Sequence, residues 1–123
     1  MDKLLINISN HPFSLWSEKQ IEAAKVFGNL IDMPFPDISP LSDENEIDKQ
    51  SENYKNRIMS MKDKDVKVSV HLMGEMTFTY SLARKLIEND IDCYASTSKR
   101  MVSYNDDGDK VTHFEFARFR KYT

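Results

Sequence analysis

Two short apolar segments, Leu4-Leu5-Ile6-Asn7-Ile8 and Leu30-Ile31-Asp32-Met33, decide the fold. Each has the length of a buried parallel β-strand. A helix is predicted between them, because Ser17 can cap its N-terminus and Gly28 is a favoured residue just past a helix end. Since parallel strands need a crossover of this kind, this part of the sequence predicts a β–α–β unit.

The same alternation continues along the chain. Asp43 can cap a second helix, whose apolar residues lie on one helical face as far as Met61. A strand, a helix and a strand are then predicted over Val66–Leu72, Met76–Glu88 and Ile91–Ala95. Strands that alternate with helices predict a parallel sheet with right-handed crossovers.

The last part of the chain has a different pattern. Arg100–Tyr104 and Val111–Phe119 flank Asn105–Asp109, a turn-forming segment, and this predicts an antiparallel hairpin. We therefore predict an α/β fold, a small Rossmann-like three-layer sandwich over residues 1–123 as a single domain. Its mostly parallel sheet has the order 2-1-3-4, with a C-terminal antiparallel strand at the edge.

Composition narrows the class of protein. The 123 residues carry a net charge of −3, which argues against a generic basic nucleic-acid coat, so we expect no duplex nucleic acid partner. No apolar run reaches about 18 residues and no basic-then-apolar segment opens the chain, so we expect neither a membrane span nor a signal peptide. The lone Cys93 cannot form an internal disulfide, and a cytoplasmic location is expected.

Motifs for metals and common cofactors do not stand out. The three histidines and the cysteine are too far apart in sequence for a zinc pattern, and there is no Walker loop or G-x-G-x-x-G motif. We therefore expect no metal and no cofactor.

Polar residues follow three of the predicted strands and should meet in one crevice. Ligands of open α/β sheets bind outside the carboxyl ends of the strands, where the strand order reverses, here between the first and third strands. A helix that opens near Gly74 also favours an anion there. The candidate ligand-binding residues are Ser9, Asn10, Trp16, Gly74, Thr77, Ser96, Thr97, Ser98 and Arg100, and the candidate catalytic residues are His11, His71 and Glu75.

Structural roles compete with these functional ones. Ser9 and Asn10 can simply bond to nearby backbone in a turn. His71, in a buried strand, can be a hydrogen-bonded core histidine, and Glu75 can be an acid that satisfies the dipole of its helix. The sequence leaves both sets of roles open.

Several motifs together carry a resemblance to known proteins. They are Ile6–Pro12 with Trp16 and Gln20, Asp32–Pro36, His71–Thr79 and Ala95–Ser98. With these motifs the chain resembles a family of small uncharacterised bacterial proteins. That family is in turn similar to the CRISPR-associated Rossmann-fold sensors of antiviral defence and to the short ring nucleases grouped with them.

The resemblance implies a ligand and a reaction. In the sensors, two loops hold a cyclic oligoadenylate across a dimer twofold, and their counterparts here are Ser9–His11 and Gly74–Thr77. It implies a metal-independent cleavage in which a ribose 2′-hydroxyl attacks the neighbouring phosphate, with positive potential from Lys99 and Arg100. His11 or His71 would be the general base, and His11 is the first candidate because it lies in a loop. These 123 residues differ from the sensors in having fewer strands and no appended effector domain.

We expect, on these grounds, a protein that binds and cleaves a nucleotide-type anion. The alternatives are a non-catalytic module that binds or sequesters the same ligand, an enzyme for a nucleoside or sugar phosphate with Glu75 as base or nucleophile, and a structural role. A homodimer is also expected. By strict alternation, Phe114 and Phe116 lie on one face of the last strand and Phe119 lies on the other, so both faces carry an aromatic residue. One face should cover the sheet, which leaves the other for a partner.

Overall fold

The computed structural model describes residues 2–123, which form one five-stranded sheet in the order β2-β1-β3-β4-β5. Strands β1 to β4 run parallel to one another, and β5 runs antiparallel to β4. This confirms the predicted Rossmann-like α/β fold and its strand order. The strands are β1 (Asp2–Ser9), β2 (Asn29–Asp32), β3 (Val66–Met73), β4 (Asp92–Tyr104) and β5 (Lys110–Lys121), and the helices are α1 (Glu18–Ala24), α2 (Glu44–Met59) and α3 (Met76–Glu88).

Helices α1 and α2 begin at the capping residues that the sequence predicted. Ser17 Oγ accepts a hydrogen bond from the Gln20 N–H at 3.2 Å, and Asp43 Oδ1 accepts one from the Glu46 N–H at 2.9 Å. After α1 a short 3₁₀ turn ends at Gly28, whose φ is 118°. A Cβ at this position would lie 2.2 Å from the Lys3 carbonyl oxygen, so both the backbone angle and the space require glycine.

A hydrophobic core lies on each face of the sheet, between the strands and the helices, so the fold has three layers. The larger core lies beneath α2 and α3, where Ile6, Val70, Phe78 and Leu82 are fully buried. The smaller core lies beneath α1 and is built from Leu5, Ala24, Phe116 and Phe119. Within residues 2–123, none of the helices combines the length and the apolar character needed to cross a membrane.

The fourth strand is longer than predicted. We expected one strand to end near Ala95 and a separate hairpin strand to begin at Arg100, but β4 continues from Asp92 to Tyr104. Beyond Tyr94 it leaves β3 and pairs with β5 along its whole remaining length. Because β5 satisfies the backbone hydrogen bonds of the hydroxyl-rich residues Ser96–Ser98, they stay extended, and the hairpin projects past the parallel part of the sheet.

A β-bulge changes the faces of β5. Thr97 pairs with Arg118 and Ser98 pairs with Phe116, so Ala117 is the extra residue in β5. The bulge brings Phe116 and Phe119 to the same face, with their ring centroids 4.9 Å apart. The expectation that Phe119 lies on the opposite face from Phe116 was therefore wrong, since strict alternation fails at a bulge.

Candidate functional site

A polar cavity of about 430 Å³ lies between the loop after β1, the end of β3 and the projecting hairpin. It is lined by nine of the twelve residues that the sequence singled out. These are Ser9, Asn10, His11, Trp16, His71, Gly74, Ser96, Thr97 and Ser98. Three parts of the chain that are distant in sequence thus form one cavity, as the strand-end argument predicts.

The other three candidates lie outside this lining. Glu75 caps α3, because its Oε1 accepts hydrogen bonds from the Phe78 N–H at 2.8 Å and from Thr77 Oγ1 at 2.6 Å. These two hydrogen bonds, that from Thr77 first, hold the pKa of the Glu75 carboxyl below its usual range. Arg100 is exposed farther out on the hairpin, opposite Phe114.

The sheet register brings the central polar side chains together. Asn7 in β1 pairs with His71 in β3, and His71 pairs with Tyr94 in β4. Since neighbours across a sheet point to the same face, Asn7 and His71 lie side by side on the face that carries α1, and Ser96 follows two residues after Tyr94. Asn7 and His71 are both 2% exposed, so their polar atoms need partners within the protein.

Four side chains form a hydrogen-bonded network around two buried residues, Asn7 and His71, with the exposed Asp32 at one end and the half-buried Ser96 at the other. Asn7 Nδ2 donates to Asp32 Oδ1 at 2.9 Å, and Asn7 Oδ1 lies 2.9 Å from His71 Nδ1. On the other side of the ring, His71 Nε2 lies 3.1 Å from Ser96 Oγ. The network therefore runs from the end of β2 to the wall of the polar cavity.

The partners of Asn7 determine which nitrogen of His71 carries the proton. Asn7 Nδ2 also donates to the His11 carbonyl oxygen at 2.9 Å, so its NH₂ group faces two acceptors. Its oxygen must then face the ring, where it accepts from the Nδ1–H of His71. A neutral imidazole with its proton on Nδ1 has an unprotonated Nε2, and this nitrogen faces the Ser96 hydroxyl.

The imidazole of His71 is neutral at physiological pH. Burial lowers its pKa to about 4, because removal from water penalises the charged ring. Aromatic side chains provide this burial. Trp16 packs edge-on against the ring with a centroid distance of 5.0 Å, and Phe119 does so at 5.6 Å.

The loop after β1 is held by the same network. The His11 carbonyl accepts from Asn7 Nδ2 and from Trp16 Nε1, the latter at 3.1 Å. Ser9 Oγ lies 2.8 Å from Asn7 Oδ1 and accepts from the His11 N–H at 3.3 Å. The turn roles predicted for Ser9 are thus present, and the His11 side chain still contributes to the cavity wall.

Gly74 has a packing role beside its place in the cavity. A Cβ there would lie 2.3 Å from Cε2 of the Phe35 ring, so a side chain would collide with the loop after β2. Phe35 in turn packs edge-on against Phe78 of α3, with ring centroids 5.2 Å apart. Gly74 therefore allows β3 to pass into α3 directly over the Phe35–Phe78 pair, of which Phe78 is fully buried.

The described lining combines polar side chains with apolar and aromatic ones. It offers hydroxyls, amides and imidazoles beside aromatic rings, and none of these described residues carries a carboxylate, an ammonium or a guanidinium group. Across residues 2–123 there is no group of three or more His, Cys, Asp or Glu side chains placed to hold a metal ion. The site is suited to hydrogen bonding and stacking more than to ion pairing.

A larger cavity of about 550 Å³ lies on the other side of the turn between β3 and α3. Its wall is mainly apolar and includes Met76, Tyr80, Ile87 and Tyr122. It contains neither of the two histidines singled out above. The polar cavity is the better candidate because buried polar groups converge on it.

Sequence reasoning missed several residues of the site. Asn7 was quoted as part of a strand, and Phe114 and Phe116 were assigned to a sheet face without a place in the cavity. A pattern that identifies Asn7 does exist, because it is the polar residue within the apolar run Leu4–Ile8. A polar residue at such a position needs a buried partner, and His71 has the same place in β3. The remaining lining residues are Leu15, Gln20 and Met73.

Comparison with known proteins gives a family without an assigned activity. The family model described as "Uncharacterized protein MJ1673 family" matches residues 3–120. None of the curated proteins matches the chain.

Proposed function

The chain belongs to the uncharacterized protein MJ1673 family, and from the polar cavity we propose that it binds a nucleotide-type ligand of the kind found in cyclic oligoadenylate second messengers. The observation that carries the proposal is the combination of aromatic rings, hydroxyls and amides on one cavity wall. The resemblance of the sequence to the CRISPR-associated sensors and ring nucleases supports the same ligand class. The volume of about 430 Å³ lies in the range of small-molecule sites and fits one nucleotide unit.

The aromatic side chains account for binding of the base. Phe114 is 67% exposed although it lines the cavity, so its ring is available to a ligand. Trp16 also lines the cavity, and its Nε1 donates to the His11 carbonyl oxygen. Stacking of a base on such a ring contributes about 1–3 kcal/mol, and it is the main source of affinity in this proposal.

Hydroxyls and amides account for the sugar and the phosphate. Ser98 on the hairpin lines the cavity together with Ser9 and Asn10, whereas the Thr97 hydroxyl is already bonded to the Arg118 backbone. Neutral donors of this kind bind phosphate oxygens without ion pairs. We therefore expect an affinity that changes little with salt concentration, unlike that of a protein that neutralises phosphates with Lys and Arg.

Cleavage of the ligand is the catalytic form of the proposal. A base removes the proton of a ribose 2′-hydroxyl, and the 2′-oxygen forms a bond to the phosphorus on the neighbouring 3′-oxygen. The bond from this phosphorus to the 5′-oxygen of the next nucleotide breaks, that oxygen takes up a proton, and a 2′,3′-cyclic phosphate remains, so no metal is required. His11 is the first candidate for this base, because Nε2 of His71 already faces Ser96. A homodimer would place two cavities on one cyclic ligand. A cytoplasmic location agrees with a buried, unpaired Cys93.

A thermal-shift measurement without added metal tests binding. We expect AMP, linear diadenylate and a cyclic tetraadenylate to raise the melting temperature, and ribose 5-phosphate to raise it less. A ligand at 100 times its Kd stabilises by about 2.7 kcal/mol, which such an assay detects. The absence of a shift with every nucleotide at millimolar concentration contradicts the proposal.

A matched pair of variants tests the place of binding. For Phe114→Ala, the ligand concentration that gives the same rise in melting temperature should increase at least several-fold. Tyr104→Ala should leave it unchanged, because Tyr104 is 71% exposed on the same hairpin but lies outside the lining. Chromatography after incubation then separates cleavage from binding alone. His11→Ala should abolish product if the base is assigned correctly.

A further inference from the structure

We propose that Ser96 is a nucleophile and His71 its general base, so that the polar cavity is also a hydrolytic site for an ester. The proposal goes beyond nucleotide binding and does not depend on the identity of the ligand. It rests on the Ser96–His71–Asn7 part of the hydrogen-bonded network, in which the two contacts are 3.1 Å and 2.9 Å. A serine, a histidine and an orienting acceptor within hydrogen-bond distance are the arrangement that activates nucleophiles on unrelated folds.

The direction of the hydrogen bonds favours this role. Asn7 holds the His71 proton on Nδ1, so the unprotonated Nε2 is the acceptor that faces the Ser96 hydroxyl. The other neighbour of Ser96 Oγ is Met73 Sδ at 3.1 Å, and a thioether is a weak acceptor. The hydroxyl proton therefore has its better acceptor on the imidazole.

Access to the cavity distinguishes Ser96 from a buried structural serine. Ser96 is half-buried and lines the cavity, whereas His71 behind it is 2% exposed. A ligand can therefore reach Oγ, while Trp16 and Phe119 shield the ring from bulk water. Ser51 is an example of a buried structural serine, because it is fully buried and its hydroxyl bonds to Ser81.

An asparagine takes the third position, where many hydrolases have a carboxylate. Asn7 orients the ring as a carboxylate does, but it adds no negative charge beside it. Cysteine proteases with a Cys-His-Asn arrangement have the same type of third residue. Asp32 bonds to the far side of Asn7 and keeps its amide turned toward the ring.

The chemical step balances without a metal or a redox partner. Ser96 Oγ forms a bond to the acyl carbon or the phosphorus of the ester, and its proton passes to His71 Nε2. The bond to the leaving alkoxide breaks, and the alkoxide takes the proton from Nε2. Water then attacks the seryl ester and gives one proton to Nε2. The bond from Ser96 Oγ to the carbon or phosphorus breaks, the acid is released, and Oγ takes the proton back from Nε2.

A fluorophosphonate probe tests the nucleophile directly. Attack by Ser96 forms an O–P bond, breaks the P–F bond, and releases fluoride and one proton. We expect intact-mass measurement of the folded wild-type protein to show one added phosphonyl group, and peptide mapping to place it on Ser96. Ser96→Ala should remove the adduct, and His71→Gln should slow labelling by about 100-fold or more.

Matched variants away from the cavity are the controls. Ser103→Ala changes an exposed serine of the same strand, and His113→Gln changes an exposed histidine of β5, so both should label at the wild-type rate. Thermal unfolding of each variant verifies folding. An unlabelled folded wild type, a label on another serine, or equal rates for wild type and His71→Gln would overturn the proposal. Nucleotide thermal shifts are measured separately, so either proposal can fail without the other.

Discussion

His71 Nδ1 lies 2.9 Å from Asn7 Oδ1, although the two residues are 64 positions apart in the chain. The contact exists because β1 and β3 are adjacent parallel strands in which Asn7 and His71 are paired. It places a neutral imidazole between an amide and a serine hydroxyl at the wall of a cavity. The hydrogen-bonded network thus supports the fold as well as the proposed chemistry.

Asn7→Leu should destabilise the protein by about 1–3 kcal/mol, the usual cost of one buried polar group left without a partner. The group concerned is the Nδ1–H of His71, which loses its acceptor. Urea unfolding measures the change. Asn10→Leu is the control, because Asn10 is exposed and should shift the unfolding free energy by less than about 0.5 kcal/mol.

The same variant should remove the preference of His71 for the tautomer with its proton on Nδ1. In the wild type, ¹⁵N chemical shifts should show the proton on Nδ1. In Asn7→Leu they should indicate a mixture of tautomers. An unchanged Nδ1–H signal in Asn7→Leu would show that another group orients the ring.

The folded state should lose stability as the pH falls from about 6.5 to about 4. The pKa of His71 is lowered from 6.5 to about 4 on folding, so between these values the unfolded chain binds the proton and the folded protein does not. Stability is therefore fully present above about 6.5. Lowering the pKa of His71 from 6.5 to about 4 corresponds to a loss of about 3 kcal/mol at the acid end of this range.

Chemical denaturation across this pH range measures the effect. Asp32 and His11 are the titratable neighbours of the network. His71→Gln should flatten the profile between pH 4 and 6.5, whereas His11→Gln should keep the loss. A profile of His71→Gln as steep as that of the wild type would assign the proton uptake to another group.

Phe119→Ala should destabilise the protein by about 3–5 kcal/mol, the usual cost of removing a buried phenylalanine. Phe119 is 8% exposed and packs against Trp16, Phe27 and His71. Phe114→Ala is the control, because Phe114 lies in the same strand but is mostly exposed. It should lower the unfolding free energy by less than about 0.5 kcal/mol. Equal losses would mean that the bulge does not turn Phe119 into the core.

Gly74→Ala should destabilise the protein by about 1–3 kcal/mol through overpacking. Its Cβ would lie 2.3 Å from the Phe35 ring, which cannot withdraw without leaving Phe78. Phe35→Leu in the same chain should recover part of this loss, because a smaller side chain makes room. A double-mutant cycle measured by urea unfolding should show a coupling between the two positions.

Much of the fold could be predicted from local patterns. Ser17, Asp43 and Gly28 mark helix ends because capping and left-handed backbone depend on one or two residues. The strand order also followed from the rules of connection, since helices link β1 to β2, β2 to β3 and β3 to β4. For the same reason nine of the twelve candidate residues lie in one cavity.

The rest depended on contacts between distant residues. Nothing near Ser96 in the sequence shows that β5 pairs with it and keeps it extended. Ala117 has no feature of its own that predicts a bulge, yet it moves Phe119 to the face of Phe116. Glu75 could equally cap a helix or face a ligand until the position of the Phe78 N–H was known.

The sequence by itself therefore determined the alternation of strands and helices, their caps and the end of the sheet where polar residues gather. These properties follow from periodicity and from short-range hydrogen bonds within a few residues. The tertiary structure decided the tautomer of His71, the partner of Ser96 and the face of Phe119. Register between β1 and β3 and pairing between β4 and β5 control these features, and both arise only when residues far apart in the chain pack together.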